Sequence, residues 1–297
     1  MHKPKKSLPE WLKVKIPGGE NYLRIQKMLR SSNLHTVCEE ARCPNIGGCW
    51  DRGTATFMIL GDICTRACRY CAVTSGKPLA LDPLEAYKLS KVVEKMNLKY
   101  VVITSVNRDD LENGGAEVFA ECVHHIKKRL PACKVEVLIP DFEGKKSALE
   151  IVLKARPDTI NHNIETVRSI FPKVRPKGDY DQSLKLLETV KLLNSSSVTK
   201  SGIMVGLGEK IDEIKETMKE LVAVGCDLLT IGQYLQPSSK HIERVKWYSP
   251  VEFNELADIG RGIGFKHVVS GPLVRSSYHA DEQHAALNVD SKDLAPV

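Results

Sequence analysis

The chain has 297 residues, of which 42% are hydrophobic, 27% charged and only 6% aromatic. That composition excludes a disordered, collagen-like or membrane chain and leaves room for two ordinary domains or one barrel. Lys and Arg number 43 against 37 Asp and Glu, and the resulting +6 is spread along the chain, which suits an acidic protein partner and does not require nucleic acid.

No run of about 18 apolar residues occurs, and the basic start at residues 1–7 lacks the apolar stretch of a secretory signal. It also lacks the Arg- and Ser-rich amphipathic character of a transit peptide, which a matured chain would have lost. A cytoplasmic protein without membrane association is therefore expected, and its nine cysteines are expected to be thiols.

After a polar arm, residues 56–60 are short, apolar and rich in β-branched and aromatic side chains, and predict the first strand. A cysteine-bearing loop follows. Asp82-Pro83-Leu84-Glu85 then reads as a helix start, with Pro first and Glu third, and Leu89, Val92, Val93 and Met96 continue at helical spacing. Strands are predicted at 100–106, 134–139, 159–164, 202–205 and 228–234. Between them, helical periodicity marks Phe119 to Leu130, Ala148 to Ala155, residues 183–194, and residues 214–224 ending at Gly225. Ser249-Pro250-Val251-Glu252 is a capping box before another helix, and 267–274 reads as a seventh strand.

About six β-α units result, which periodicity alone assigns either to an open doubly wound sheet or to a closed or partial barrel. Alternation along 159–165 puts Asn161, Asn163 and Glu165 on one face and Ile160, His162 and Ile164 on the other. A polar inner face suggests a barrel with a wet lumen, the plainer alternative being a strand end with solvated amides. Neither a Gly-x-Gly-x-x-Gly stretch nor a P-loop is present.

Six of the nine cysteines fall between Cys38 and Cys71. Cys64-Thr65-Arg66-Ala67-Cys68-Arg69-Tyr70-Cys71 puts three thiols on the loop after the first strand. Thiolates favour Zn²⁺ or iron-sulfur clusters, and three of them on a four-iron cubane leave one iron open to substrate or cofactor. Zinc usually takes paired Cys-x-x-Cys or Cys/His sets, which this spacing does not resemble. Cys38, Cys43 and Cys49 form a second triplet, with four and five intervening residues, and two triplets imply two centres. Cys122, Cys133 and Cys226 sit singly in predicted helix or strand and read as core. His124, His125 and His162 read as structural. The basic runs Lys3-Pro4-Lys5-Lys6 and Lys127-Lys128-Arg129 have no interleaved aromatics and read as solvated surface, at most attracting an acidic partner.

The Cys64 triplet, with Tyr70 before its last cysteine, resembles the signature of the radical S-adenosylmethionine (radical SAM) superfamily. The resemblance implies a [4Fe-4S] cluster on Cys64, Cys68 and Cys71 whose open iron chelates SAM. It further implies a low-potential electron donor and cleavage of SAM to methionine and a 5′-deoxyadenosyl radical. The Cys38 triplet resembles the auxiliary-cluster motif of lipoyl synthases. Arg108-Asp109-Asp110-Leu111 with Gly114-Gly115-Ala116, Asn161-His162-Asn163-Ile164-Glu165-Thr166, Gly206-Leu207-Gly208-Glu209, Gly232-Gln233-Tyr234-Leu235-Gln236-Pro237 and the run from Gly271 through Arg275-Ser276-Ser277-Tyr278-His279 resemble further stretches of that family, so that the likeness spans most of the chain. Gly48 and Asn113 depart from it where acidic residues are usual, and neither is an implied ligand.

What the resemblance implies is a partial (β/α)6 TIM-like barrel at 54–266, between an N-terminal extension at 1–53 and a closing segment at 267–297. A second [4Fe-4S] cluster would be held by Cys38, Cys43, Cys49 and a serine of the Arg-Ser-Ser-Tyr motif, Ser277 being favoured over Ser276. A serine oxygen is a harder, more labile iron ligand than a thiolate, which fits a cluster that gives its sulfides away. Gly114 and Gly115 would let backbone approach SAM, and Asn163 and Glu165 would face it, Glu165 accepting from the ribose hydroxyls. Taken alone, a glycine pair is more often a turn and a lining Glu more often an ion-pair partner.

The implied reaction inserts sulfur at C6 and C8 of an octanoyl chain on a lysine of a lipoyl carrier domain, an E2 subunit or H protein, by a monomer using two SAM. A biotin synthase-like or methylthiotransferase protein would share the Cys64 triplet but not the Cys38 triplet or Arg275-Ser276-Ser277-Tyr278. A Cys-rich electron-transfer module would leave six β-α units unexplained.

Overall fold

In the computed structural model, described over residues 8–14, 17–41, 43–51 and 56–288, the chain begins with α1 (Glu20–Ser31), β1 (His35–Thr36), α2 (Val37–Glu40) and α3 (Ile46–Asp51). The basic run at 3–6 lies outside the described residues. Strand β2 (Thr56–Ile59), a two-strand clip of β3 (Ile63–Cys64) and β4 (Thr74–Ser75), and then a regular alternation follow: α4 (Glu85–Lys95), β5 (Tyr100–Ser105), α5 (Ala116–Arg129), β6 (Lys134–Leu138), α6 (Lys146–Lys154) and β7 (Thr159–Asn161). The chain continues through α7 (Phe171–Val174), α8 (Tyr180–Leu193), β8 (Val198–Val205), α9 (Ile211–Ala223), β9 (Leu228–Gln233), α10 (Pro250–Ile263), β10 (His267–Gly271) and α11 (Ala280–Ala285).

The sheet runs β1-β2-β5-β6-β7-β8-β9-β10. From β2 to β10 every neighbour is parallel, and β1 pairs antiparallel at the β2 edge. Six helical crossovers join seven parallel strands, and β1 and β10 form its two edges, which makes the sheet a partial TIM-like barrel. Strands such as β2 and β5 read as near-continuous apolar runs because both faces are covered; all of β2 and β9 is buried. Helices supply the outer layer with one apolar stripe each, as α5 does with Phe119, Cys122, Val123 and Ile126. No described helix is long and apolar enough to cross a membrane.

Several boundaries differ from the sequence pattern. The supposed polar arm contains α1, whose Ile25 and Leu29 are fully buried and whose Tyr22 stacks on Trp50 at 4.8 Å. Helix α4 starts at Glu85, not Pro83: Asp82 accepts the Leu84 N–H at 2.9 Å in a turn, and the Glu85 carboxylate turns inward to accept the Leu60 N–H at 2.9 Å. Strand β8 starts four residues before Gly202, hidden by Lys200, which is wholly buried against Glu136 at 3.1 Å. Glu136 also accepts from Tyr100 and Asn161, each at 2.8 Å, so the lower lumen is polar. Strand β7 ends at Asn161, and beyond it the strict alternation lapses. The capping box at 249–252 is present as read, and Gly225, with φ +81°, turns the chain two residues after α9 ends at Ala223.

Candidate active site

The loop from β2 to α4 is set at its base by backbone strain that the surroundings hold. Leu60 and Gly61 have φ of +70° and +86°. Leu60 N–H is taken by Glu85, and Arg108 Nη1 donates to its carbonyl at 3.2 Å. The β3–β4 clip closes the loop, with Gly76 N–H donating to Cys64 O at 2.9 Å. Inside the loop, Arg66 forks onto two carboxylates: Nε and Nη2 reach Asp109 at 2.8 and 2.9 Å, and Nη1 and Nη2 reach Asp141 at 2.6 and 2.7 Å. A strap after β9 holds the far end, His241 Nε2–H donating to Cys71 O at 2.9 Å and Ile242 N–H to Arg69 O at 2.9 Å.

Cys64, Cys68 and Cys71 line a cavity of about 510 Å³ at the carboxyl ends of the strands, where parallel barrels place their active sites. Asn163, Glu165, Arg175 and His162 line it too. Glu165 has φ +70°. Burial pushes its carboxyl up, opposed by the Arg175 charge and by hydrogen bonds from Tyr70 and Asn163. His162, read from sequence as structural, stands in this wall. Its Nδ1–H donates to Ile139 O at 2.9 Å, Nε2 has no partner, and burial brings its pKa down to about 4, so the ring is neutral.

The other triplet sits on short helices. Thr36 caps α2 by accepting the Glu39 N–H, Cys38 follows, Cys43 N–H donates to Cys38 O at 3.0 Å, and Cys49 lies on α3. Asn45 Nδ2 donates to Leu273 O at 2.7 Å and ties this segment to the one after β10. A second cavity, about 440 Å³, is lined by Cys38, Cys43, Cys49 and Ser277. Cys38, Cys43, Thr56, Arg275 and Ser277 line both cavities. The two serines part company. Ser277 Oγ accepts from Thr56 Oγ1 at 2.7 Å, whereas Ser276 Oγ accepts from Asn163 Nδ2 at 2.7 Å.

Gly114 and Gly115 line neither cavity. Both have positive φ, and Gly115 is the N-cap of α5. A Cβ on Gly114 would meet Phe142 Cδ1 at 2.9 Å, and one on Gly115 would overlap the Leu60 methyls, so close packing accounts for the pair. Cys122, Cys133 and Cys226 are buried in the core, and no disulfide joins any of the nine cysteines.

The donor set fits iron-sulfur clusters. Burial pushes the Cys38 and Cys71 thiols up to about 12 and raises Cys43 and Cys68 as well, a cost to the thiolates that a cationic partner such as iron would offset. Backbone donors are already aimed at them: Cys64 Sγ accepts the N–H of Arg66 at 3.4 Å and of Asn107 at 3.3 Å, the kind of bond that tunes cluster sulfur. Among the described residues no three His, Cys, Asp or Glu side chains converge as a single metal ion needs. Zinc requires that convergence, whereas a cubane spreads its ligands over separate irons.

Residues 58–221 match the radical SAM superfamily, and residues 1–43 match the N-terminal domain of lipoyl synthase of the radical SAM family. Lipoyl synthase of Rubrobacter xylanophilus is 54% identical over 275 residues, covering 93% of this chain and 86% of that protein. Lipoyl synthase of Shouchella clausii is 54% identical over 287 residues, covering 96% and 93%. The chain belongs to the lipoyl synthase family of the radical SAM superfamily. Solved structures of methylornithine synthase (TM-score 0.55, 13% identity, covering 93% of this chain and 88% of that one) and of a maturase of the [FeFe]-hydrogenase (TM-score 0.58, 16% identity, covering 91% and 61%) share its fold. Lipoyl synthase membership implies an enzyme with a [4Fe-4S] cluster, SAM and octanoylated carrier-domain substrates.

Sequence reasoning missed Arg66, Asp141, Arg175 and Thr56. Arg66 lies inside the cysteine signature, but nothing near it marks a carboxylate 75 residues on. The buried polar residues of this wall are visible only once the strands are assembled.

Proposed function

We propose that this enzyme inserts sulfur at C6 and C8 of an octanoyl group amide-linked to a lysine of an E2 or H-protein lipoyl domain, yielding protein-bound lipoyl, 5′-deoxyadenosine and methionine. What supports this reading is that Cys38, Cys43 and Ser277, which line both cavities, line the larger one together with Cys64, Cys68 and Cys71. Cys64, Cys68 and Cys71 would hold one [4Fe-4S] cluster with an iron left for SAM, and Cys38, Cys43, Cys49 and Ser277 would hold a second. When bound, the first supplies one-electron cleavage of SAM for hydrogen abstraction and the second supplies sulfide.

The chain's own residues orient and shelter. Asn163 and Glu165 line the cavity where they would hold SAM, Glu165 as the acceptor for its ribose hydroxyls, while Arg175 balances the Glu165 charge. Gly115 packs against Leu60, whose backbone opens the cysteine loop, and Gly114 packs against Phe142, so the pair serves the site through packing. Met58, Val106, Leu138 and Ile139 give the larger cavity an apolar wall that receives the acyl chain and excludes water. The mild positive charge favours an acidic carrier domain. The enzyme works as a cytoplasmic monomer with a separate low-potential electron donor.

Anaerobic iron analysis with Cys43→Ala tests the reading. The parent should hold about eight irons and the variant about four, the load of one cubane. The variant should still release 5′-deoxyadenosine under reductant yet form no carbon–sulfur bond on an octanoyl-lysine peptide. Lipoyl product at the parental rate would overturn it.

A further inference from the structure

Thr56 touches the second cysteine site through both its backbone and its side chain. It is the first residue of β2, pairs with Val102 in the parallel ladder and is 6% exposed. Its backbone N–H donates to the Cys38 thiol. Its Oγ1 donates to Ser277 Oγ at 2.7 Å across 221 residues of sequence. Ser277 itself lies in an irregular turn after β10, so the strand supplies the fixed end of this bond. The neighbouring hydroxyl, Ser276, is engaged elsewhere by Asn163. A β-branched threonine in a strand has few rotamers, which makes its hydroxyl a rigid donor.

We propose that Thr56 is the positioning residue for the auxiliary site: its hydroxyl holds Ser277 Oγ toward Cys38 and Cys43 and stabilises that oxygen as an anionic ligand, the serine proton passing to solvent. The proposal rests on the assignment of Ser277 as the fourth ligand. Its physical basis is that a hydrogen bond to an anionic oxygen is about twice as strong as one between neutral groups, so it favours the iron-bound serine over the free hydroxyl. Thr56 leaves the serine oxygen a lone pair for the metal while satisfying another.

The test uses the full-length chain with Cys64, Cys68 and Cys71 replaced by alanine, loaded anaerobically with iron and sulfide so that only the auxiliary irons are counted. Iron loss to a ferrous chelator is timed, and ⁵⁷Fe Mössbauer spectra follow the oxygen-ligated iron. Thr56→Val should release iron roughly 10- to 100-fold faster, the range for losing a charge-assisted bond, and should alter the spectrum of one iron. Thr56→Ser should restore the parental rate. In a Ser277→Ala background, Thr56→Val should add nothing. Parental release from Thr56→Val, or an equal acceleration with Ser277 already gone, would overturn the role of Thr56. Parental release from Ser277→Ala would overturn the serine assignment and this proposal with it, whereas fast release from Ser277→Ala with parental release from Thr56→Val removes Thr56 alone. Thr56→Ala repeats the comparison should the valine chain not fold.

Discussion

Replacing Arg66 with Met should destabilise the fold by about 3–5 kcal/mol and misplace the cysteine loop without removing a thiol, because it breaks a buried ion pair from one side only. The Arg66 side chain is 4% exposed and Asp141 1% exposed. With the guanidinium gone, the nearest remaining cation to Asp141 is Arg175, 3.7 Å away. Methionine fills the stem's volume and makes no hydrogen bond, so the loss isolates the two forks. In the parent, burial pushes the Asp141 carboxyl up, but the hydrogen bonds and charge of Arg66 outweigh it and the net shift is downward. A lowered carboxyl contributes stability that is present above its unfolded pKa and lost as pH falls through its folded value. In Arg66→Met burial dominates, the carboxyl moves up, and its ionised form becomes a penalty that fades as the group takes a proton. The gap between parent and variant should therefore be widest near neutral pH and narrow on acidification. At about 2 °C per kcal/mol for a chain of this size, the melting temperature should fall by about 6–10 °C. Anaerobic circular dichroism melts at pH 7.5 and pH 5, with SAM cleavage measured alongside, read this out. A fall below about 2 °C, the worth of an exposed pair, or a gap that does not narrow, would refute the reasoning. Arg66→Lys should recover only part of the loss, since a point charge cannot fork onto two carboxylates.

Gly115→Ala should destabilise by about 2–4 kcal/mol, combining left-handed backbone strain with overpacking against Leu60. Gly48→Ala, where an added Cβ meets nothing within 4 Å, is the control and should be neutral or stabilising by up to about 1 kcal/mol in urea melts; equal losses at the two positions would contradict the packing account. Lys200→Met should cost about 3–5 kcal/mol by stranding Glu136. Adding Glu136→Gln should return most of it, since the amide oxygen still accepts from Tyr100 or Asn161; a double variant as unstable as the single one would show that the charge was not the cause.

The fold was legible where local pattern and tertiary role agree. Short apolar strands alternating with one-sided helices predict a parallel sheet, and the spans from β2 to β10 follow the predicted order. Legibility failed where a charge is buried by a distant partner. Lys200 reads as surface until Glu136, 64 residues earlier, meets it, so β8 seemed half its length. Helix α1 was lost because only two of its twelve residues are buried. Glu85 looked like a capping carboxylate, and its true acceptor role for Leu60 depends on how β2 and α4 pack.

The cysteine ligands announce themselves because sulfur chemistry and spacing are local properties. What shapes the site is long-range: Arg66 to Asp141 spans 75 residues, Cys71 to His241 spans 170, and Thr56 to Ser277 spans 221. Strain is hidden for the same reason. Leu60 and Glu165 both have φ of +70° without being glycine, a conformation costing roughly 1–2 kcal/mol per residue. Each is held by several bonds at once: Leu60 by Glu85 and Arg108, Glu165 by its N–H to Gly202 O at 2.9 Å and by Met204 N–H to its carbonyl at 2.7 Å. A residue kept in such a conformation by that many partners cannot relax when a neighbour changes. One of them sets the base of the Cys64 loop and the other lines the same cavity as its thiols, so the strain helps fix how the thiols and Glu165 are placed around the space a cofactor would occupy.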